Sequence, residues 1–182
     1  MENSRVREQV FLALAAVFIA ALIACNLIFR KFFVWEIPAL GLLGLNPQME
    51  LSVGILAYPV TFICTDVLSE FYGRRRVSQL VTSGFLASIF IMGLVAISNA
   101  VSAADWSAVD DATFDLVFGN QPVAVTGSMC AYLGAQYLDV RLFHYWKRRT
   151  RGRHLWLRNN VSTFTSQFVD TVLVISVLAL LG

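Results

Sequence analysis

Long apolar runs, interrupted by short polar stretches, set the pattern of this chain. Residues 10–29, 51–72, 77–101, 122–146 and 161–181 are each predominantly apolar. Each is near or above the roughly 20 residues that a helix needs to cross a bilayer core. The run is continuous rather than alternating in every case, which argues against a β-barrel. Residues 32–47 break the pattern with Pro38, Gly41, Gly44 and Pro47 among aromatics and leucines. They read as an irregular, hairpin-like segment, and such backbone must be buried in protein or wetted. Pro59 predicts a kink in the second span. Gly73 followed by Arg74, Arg75 and Arg76 predicts that span's end, and Pro122 predicts the first turn of the fourth. The predicted fold is an all-α integral membrane protein. It is a polytopic helical bundle forming a single transmembrane domain over residues 1–182.

Composition agrees with the pattern. The chain is 57% hydrophobic and 14% charged, with a mean hydropathy of +0.66, against about 25% charged residues in soluble domains. The placement of charge matters more than its total. Arg74–Arg76 form one basic loop, and Lys147, Arg148, Arg149, Arg151, Arg153 and Arg158 belong to another. The loop between spans three and four holds Asp105, Asp110, Asp111 and Asp115 with no lysine or arginine. The positive-inside rule then puts both basic loops and the N-terminus in the cytoplasm and the acidic loop outside. In a bacterium this is an inner-membrane, multi-pass arrangement. The run ending at Leu181 leaves no polar tail, so a further helix is expected after Gly182. No basic stripe interleaved with aromatics points to nucleic acid, and no cleavage site marks the first run as a signal peptide. Cys25, Cys64 and Cys130 lie in apolar runs without C-x-x-C spacing and read as small buried hydrophobes.

The polar residues inside the spans carry the functional signal. A charged side chain at the centre of a spanning helix costs about 2.5–3.5 kcal/mol on insertion scales. Asp66 and Glu70 lie one turn apart on one face of span two, with Phe62 beside them. Glu70 has a ready partner in Arg74, four residues on, whereas Asp66 has no close local cation. Span four carries Gln136 and Asp139, and span five carries Gln167 and Asp170, in the echoed order small, Gln, aromatic, aliphatic, Asp. Gln and Asp three apart share a helix face. Asp170, near the middle of its span, is the most costly carboxylate. Asn26 serves either as glue between helices or as a ligand contact. Asn160 serves either as the N-cap of span five or as a ligand contact.

No catalytic constellation accompanies these residues. There is no H-E-x-x-H and no phosphate-binding G-x-x-x-x-G-K-[ST]. His144 and His154 lie at the edge of span four and in the basic loop, away from any metal or serine dyad. The sequence therefore predicts no enzyme, no metal and no cofactor. Inward-facing Asn, Gln and Asp with Phe62, Tyr132, Tyr137 and Phe168 suit a flat, hydrogen-bonding heterocycle. Carboxylate and amide read its edge, and an aromatic ring such as Phe62, Tyr132 or Phe168 stacks on its face.

Three stretches, YPVTFICTDVLSEFYGRRR (58–76), AQYLDVRLFHYWKRRTRG (135–152) and RHLWLRNNVSTFTSQFVDTVL (153–173), resemble the queuosine precursor transporter family, also called the vitamin uptake transporter family. The resemblance implies a bacterial inner-membrane importer of 7-deazaguanine bases, the precursors of queuosine. It also implies about six helices arranged like the substrate-binding component of energy-coupling-factor transporters, against five visible here. On this footing Asp66, Gln136, Asp139, Gln167 and Asp170 are expected to share a polar cavity, joined by Asn26 and Asn160. Asp66 or Asp170 would read the N–H edge, and Glu70 with Arg74–Arg76 would anchor or gate the cytoplasmic end. The expected partners are a purine-like small molecule and the bilayer. The small residues of span three permit a homo-oligomer. The main reading is a secondary transporter or facilitator that requires no ATPase module. A binding subunit for another vitamin-like molecule that does require such a module, and a structural membrane protein without substrate, are the alternatives.

Overall fold

The computed structural model describes residues 2–36, 48–119, 122–151 and 153–181. Helix α1 (Glu2–Ile28) leads into an antiparallel hairpin of β1 (Phe32–Glu36) and β2 (Gln48–Ser52). Its register pairs Phe32 with Ser52 and Glu36 with Gln48. A 3-10 turn (Val53–Leu56) follows, then α2 (Tyr58–Tyr72), α3 (Arg74–Asn99), the short α4 (Asp111–Phe118), α5 (Pro122–Arg149) and α6 (Leu155–Leu181). The hairpin-like expectation for 32–47 corresponds to a strand at 32–36, while 37–47 lie outside the described residues. Among the described residues, three segments are long and apolar enough to cross a membrane: Arg5–Ile28, Val53–Tyr72 and Arg74–Asn99. The whole is an all-α membrane protein with one small ribbon.

Two expectations are corrected. Pro59 does not kink a long helix. Residues 48–56 are strand and 3-10 turn, so Pro59 falls in the first turn of α2, where its fixed φ suits helix entry and its missing N–H leaves no bond unmade. The last helix begins at Leu155, six residues before 161, so Asn160 is no cap. It lies within α6 and its Nδ2 donates to the Trp156 carbonyl at 2.8 Å.

The bundle has two ends. At one, the basic end, lie the start of α1, the α2–α3 junction and the α5–α6 connection. At the other, the hairpin end, lie the ribbon, the end of α3 and α4. Helix α1 packs on α2 and α3, α5 packs on α3 and α6, and α2 touches α3 and α5. The apolar core joins Phe18 and Leu22 of α1, Phe62 and Leu68 of α2, Val77, Leu80 and Val81 of α3, and Tyr132 and Val140 of α5. Gly84 permits the close α1–α3 approach, since a Cβ there would sit 2.8 Å from the Phe18 ring. Phe90, Ile97, Phe164 and Phe168 point outward, as lipid-facing positions do.

The junction at Gly73 sets the geometry of the basic end. Its φ of +81° is readily available only to glycine and turns the chain sharply between α2 and α3. Arg74 therefore does not continue the helical face of Glu70.

Candidate functional site

A cavity of about 430 Å³ opens near the hairpin end. Helix α1 supplies Cys25 and Asn26, and Phe29 stands just after it. The strand end and 3-10 turn supply Ser52, Gly54 and Ile55. Tyr58 comes from α2, and Gln167, Asp170, Thr171 and Ile175 come from α6. The ribbon is fastened to α1 at this point. The Ser52 hydroxyl donates to the Phe29 carbonyl and accepts the Gly54 amide at 3.2 Å, and the Val53 amide donates to the Lys31 carbonyl at 2.7 Å. Gly54 is needed for this seat, because a Cβ would meet the Cys25 carbonyl oxygen at 2.9 Å.

Asn26, Gln167 and Asp170 therefore meet in one space, although α1 and α6 lie at opposite ends of the chain. Asp170 is buried, and its Oδ1 has no protein hydrogen-bond partner. Asn26 uses one N–H on the Leu22 carbonyl at 3.0 Å, which leaves its other N–H and its oxygen lone pairs. The Tyr58 ring lies edge-on to Tyr132, with centroids 5.5 Å apart. A narrow cleft shared by Asn26, Tyr58 and Tyr132 leads inward.

Below Tyr132 the space closes but the polarity continues. Gln136 Nε2 donates to the Tyr132 hydroxyl at 2.8 Å, and its Oε1 is buried and unpartnered. Deeper still, Asp66 and Asp139 are buried side by side, their carboxyls within hydrogen-bonding reach of each other. Ser166 donates to Asp139 Oδ1 at 3.1 Å. Asp66, Gln136 and Asp139 do not line the cavity. The single shared cavity expected from the sequence is thus divided into an open chamber and a closed polar core beneath it.

At the basic end, Glu70 does not pair with Arg74. Its Oε2 meets Lys147 Nζ at 2.9 Å and Arg158 Nη2 at 3.1 Å. The Gly73 turn removes Arg74 from reach, while α5 and α6 bring their own cations across. Arg158, only 1% exposed, also lies over the Phe143 ring at 5.2 Å. The triplet has other uses: Arg76 pairs with Glu8 at 2.8 Å. Arg158 is the residue that sequence reasoning missed, having assigned it to a loop. The available signal was spacing: Arg158, Ser162, Ser166 and Asp170 recur every fourth residue, one continuous face of α6, and all four are buried.

Of the aromatic candidates, Tyr132 contributes through the cleft, and Phe62 is buried in the core. Phe168 is 71% exposed on the outer face. It stands two residues from both Ser166 and Asp170, about 200° round the helix from each, so it does not reach the chamber. Cys25 lines the chamber and Cys64 is buried; the side chain of Cys130 lies outside the described residues. Among the described residues no three His, Cys, Asp or Glu are grouped to hold a metal ion.

Comparison with known proteins places this architecture. Residues 52–181 match the family described as "Putative vitamin uptake transporter". The chain is also 34% identical over 135 residues to a Bacillus subtilis (strain 168) protein named "Probable queuosine precursor transporter". That match covers 72% of this chain and 57% of the relative, so the chain spans little more than half of the relative's length. No solved structure matches. The match to the family covers well over half of the chain, from the end of the ribbon through the last residues of α6, and the chain belongs to the vitamin uptake transporter family.

Proposed function

We infer that this protein imports queuosine precursors, 7-deazaguanine bases, across the bacterial inner membrane, with its N-terminus and basic end in the cytoplasm. The observation that carries the reading is the meeting of Asn26, Gln167 and the unpartnered Asp170 in the 430 Å³ chamber. The size lies within the roughly 300–1,000 Å³ common for small-molecule sites. The relative's name supplies the substrate class. Asp170 accepts two N–H groups from the guanine-like edge, the amides of Asn26 and Gln167 serve its carbonyl and ring nitrogens, and Tyr58 offers a ring face. With the basic end outermost in the cytoplasm, the chamber faces outside. The Glu70–Arg158–Lys147 cluster holds the cytoplasmic side shut. The protein acts as a secondary transporter or facilitator without an ATPase module.

The test is the queuosine content of tRNA in a bacterium that neither makes nor imports the precursor, supplied with a low external concentration. Queuosine appears with the gene and not without it, and Asp170→Asn lowers it about tenfold or more while the protein remains in the membrane. Equal queuosine with Asp170→Asn and the parent would refute the site. Absence with the parent, present in the membrane, would refute the substrate.

A further inference from the structure

The chamber leaves unexplained the two most enclosed carboxyls among the described residues. Asp66 is 5% exposed and Asp139 is fully buried. Their side chains are within hydrogen-bonding reach of each other. Carboxylates only accept hydrogen bonds, so two ionised carboxyls placed this close have no donor between them. Ser166 is the hydroxyl that bonds Asp139, with the Ser162 and Thr163 hydroxyls close by, while Asp66 Oδ1 and Asp139 Oδ2 have no protein donor. No lysine or arginine among the described residues forms an ion pair with either carboxyl.

The groups around the pair are few. Helix α2 contributes Glu70 one turn on, already paired with Lys147 and Arg158. Helix α5 contributes Tyr132 one or two turns to one side and His144 to the other. Helix α6 contributes Asp170 towards the chamber and Arg158 towards the basic end. Of the residues that α1 and α3 bury, Phe18, Leu22, Val77, Leu80 and Val81 are apolar, Ser88 is polar and uncharged, and Cys25 is the one titratable group among the described residues. Two negative charges side by side in such surroundings repel strongly, so the pair holds one proton or needs a cation in its place.

Spacing supplies the route. Asp170 is one helical turn, about 6 Å, from Ser166, which bonds Asp139. Glu70 is one turn beyond Asp66. Arg158 Nε and Nη1 are buried without partners, two unused donors on the side chain that closes the basic end. Chamber, carboxyl pair and ion-paired end thus follow one another in steps of about a turn.

We propose that Asp66 and Asp139 form a proton-binding site that couples import of the precursor to entry of one proton. The proposal rests on the import reading above. The pair takes one proton from water on the chamber side and shares it between the two carboxyls. It releases that proton at the basic end, and Arg158 then turns from Glu70 to the bare carboxylates, leaving Glu70 with Lys147. One proton enters and one leaves in each cycle, with no oxidation or reduction.

The test uses the full chain in proteoliposomes enclosing a pH-sensitive dye, with labelled 7-cyano-7-deazaguanine, a neutral base, as the probe. An outside-acid gradient of one pH unit drives accumulation of up to about tenfold for one proton per molecule, since 1.4 kcal/mol is tenfold. Proton entry depends on the base. Asp66→Asn and Asp139→Asn each lower the ratio of gradient-driven accumulation to base exchange at least fivefold. Base exchange by the parent without proton entry, and without response to the gradient, would overturn the coupling and leave import standing. No exchange at all by the parent would overturn import and the coupling with it. Should the variants lose exchange altogether, base-dependent proton entry by the parent decides alone.

Discussion

The two ends of the polar track through this bundle use similar residues to opposite effect. At the hairpin end, Asp170 is buried with an unpartnered oxygen and faces a chamber. At the basic end, Glu70 is saturated by two cations drawn from two other helices. A carboxylate with a vacant lone pair beside open space is poised for a ligand. A carboxylate whose partners are protein cations ties helices together. On the import reading proposed above, the difference separates recognition from closure within one fold, and mutation at either end tests that separation.

The largest effect is expected at the closed end. Glu70→Ala strands the buried Arg158 guanidinium, and an uncompensated buried charge of this kind costs about 3–5 kcal/mol. Arg158→Leu is milder, because Glu70 keeps Lys147, and Glu70→Leu with Arg158→Leu recovers most of the single-variant loss. Thermal unfolding of the four proteins in detergent checks this order. Equal losses for the two single variants would mean that the cluster does not hold the basic end in the way described.

At the open end the order of effects on stability and uptake reverses. Asp170→Asn leaves the unfolding midpoint within a degree or two, since no protein partner of Oδ1 is lost. It removes hydrogen bonds to a charged group, worth about 1.5–3 kcal/mol, and so weakens half-saturation for the precursor roughly tenfold to a hundredfold. Concentration-dependent uptake in whole cells reads this directly. A large fall in stability with unchanged half-saturation would make Asp170 a structural residue like Glu70 and erase the contrast.

Much of this arrangement is legible in the sequence. Apolar runs mark the spans because a bilayer tolerates little else, and Asp170 and Gln167 stand out because nothing nearby in the chain can satisfy them. The division between chamber and closed core is not legible there. It depends on α6 lining the same space as α1 and the end of the ribbon, which no local periodicity encodes. Glu70 misleads for a related reason: the i, i+4 rule offers Arg74, but it presumes an unbroken helix, and Gly73 turns the chain at φ +81°. The true partners are 77 and 88 residues away. Arg158 is hidden when its charge alone assigns it to a loop, whereas its four-residue spacing to Ser162, Ser166 and Asp170 places it on a helix face.

A smaller effect separates the chamber wall from the lipid face. Tyr58→Ala removes a ring that lines the chamber and weakens uptake by about 1–3 kcal/mol if the base stacks there. Phe168→Ala, on the outer face, leaves half-saturation unchanged. Uptake by both variants measured side by side gives the answer, and the reverse ranking would move the site to the other face of α6.

The smallest effect concerns the rim of the open end. Asp110 caps the start of helix α4, its carboxylate accepting the Thr113 amide at 2.8 Å. The hydroxyl and amide of Thr113 hold that carboxyl below the usual Asp range. A depressed carboxyl stabilises the folded form above its unfolded value, and the contribution is lost as pH falls. The far end of α4 accepts the Arg30 guanidinium at the Leu116 carbonyl, so the cap also helps to hold the end of α1 near the chamber mouth. Asp110→Ala should therefore lower the hydrogen-exchange protection of the α4 amides and leave that of α2, α5 and α6 unchanged. Half-saturation for the precursor should shift by less than twofold, because the ribbon, rather than α4, is what Ser52 and Gly54 fasten to α1. A loss as large as that of Asp170→Asn would extend the recognition end outward to include the acidic loop.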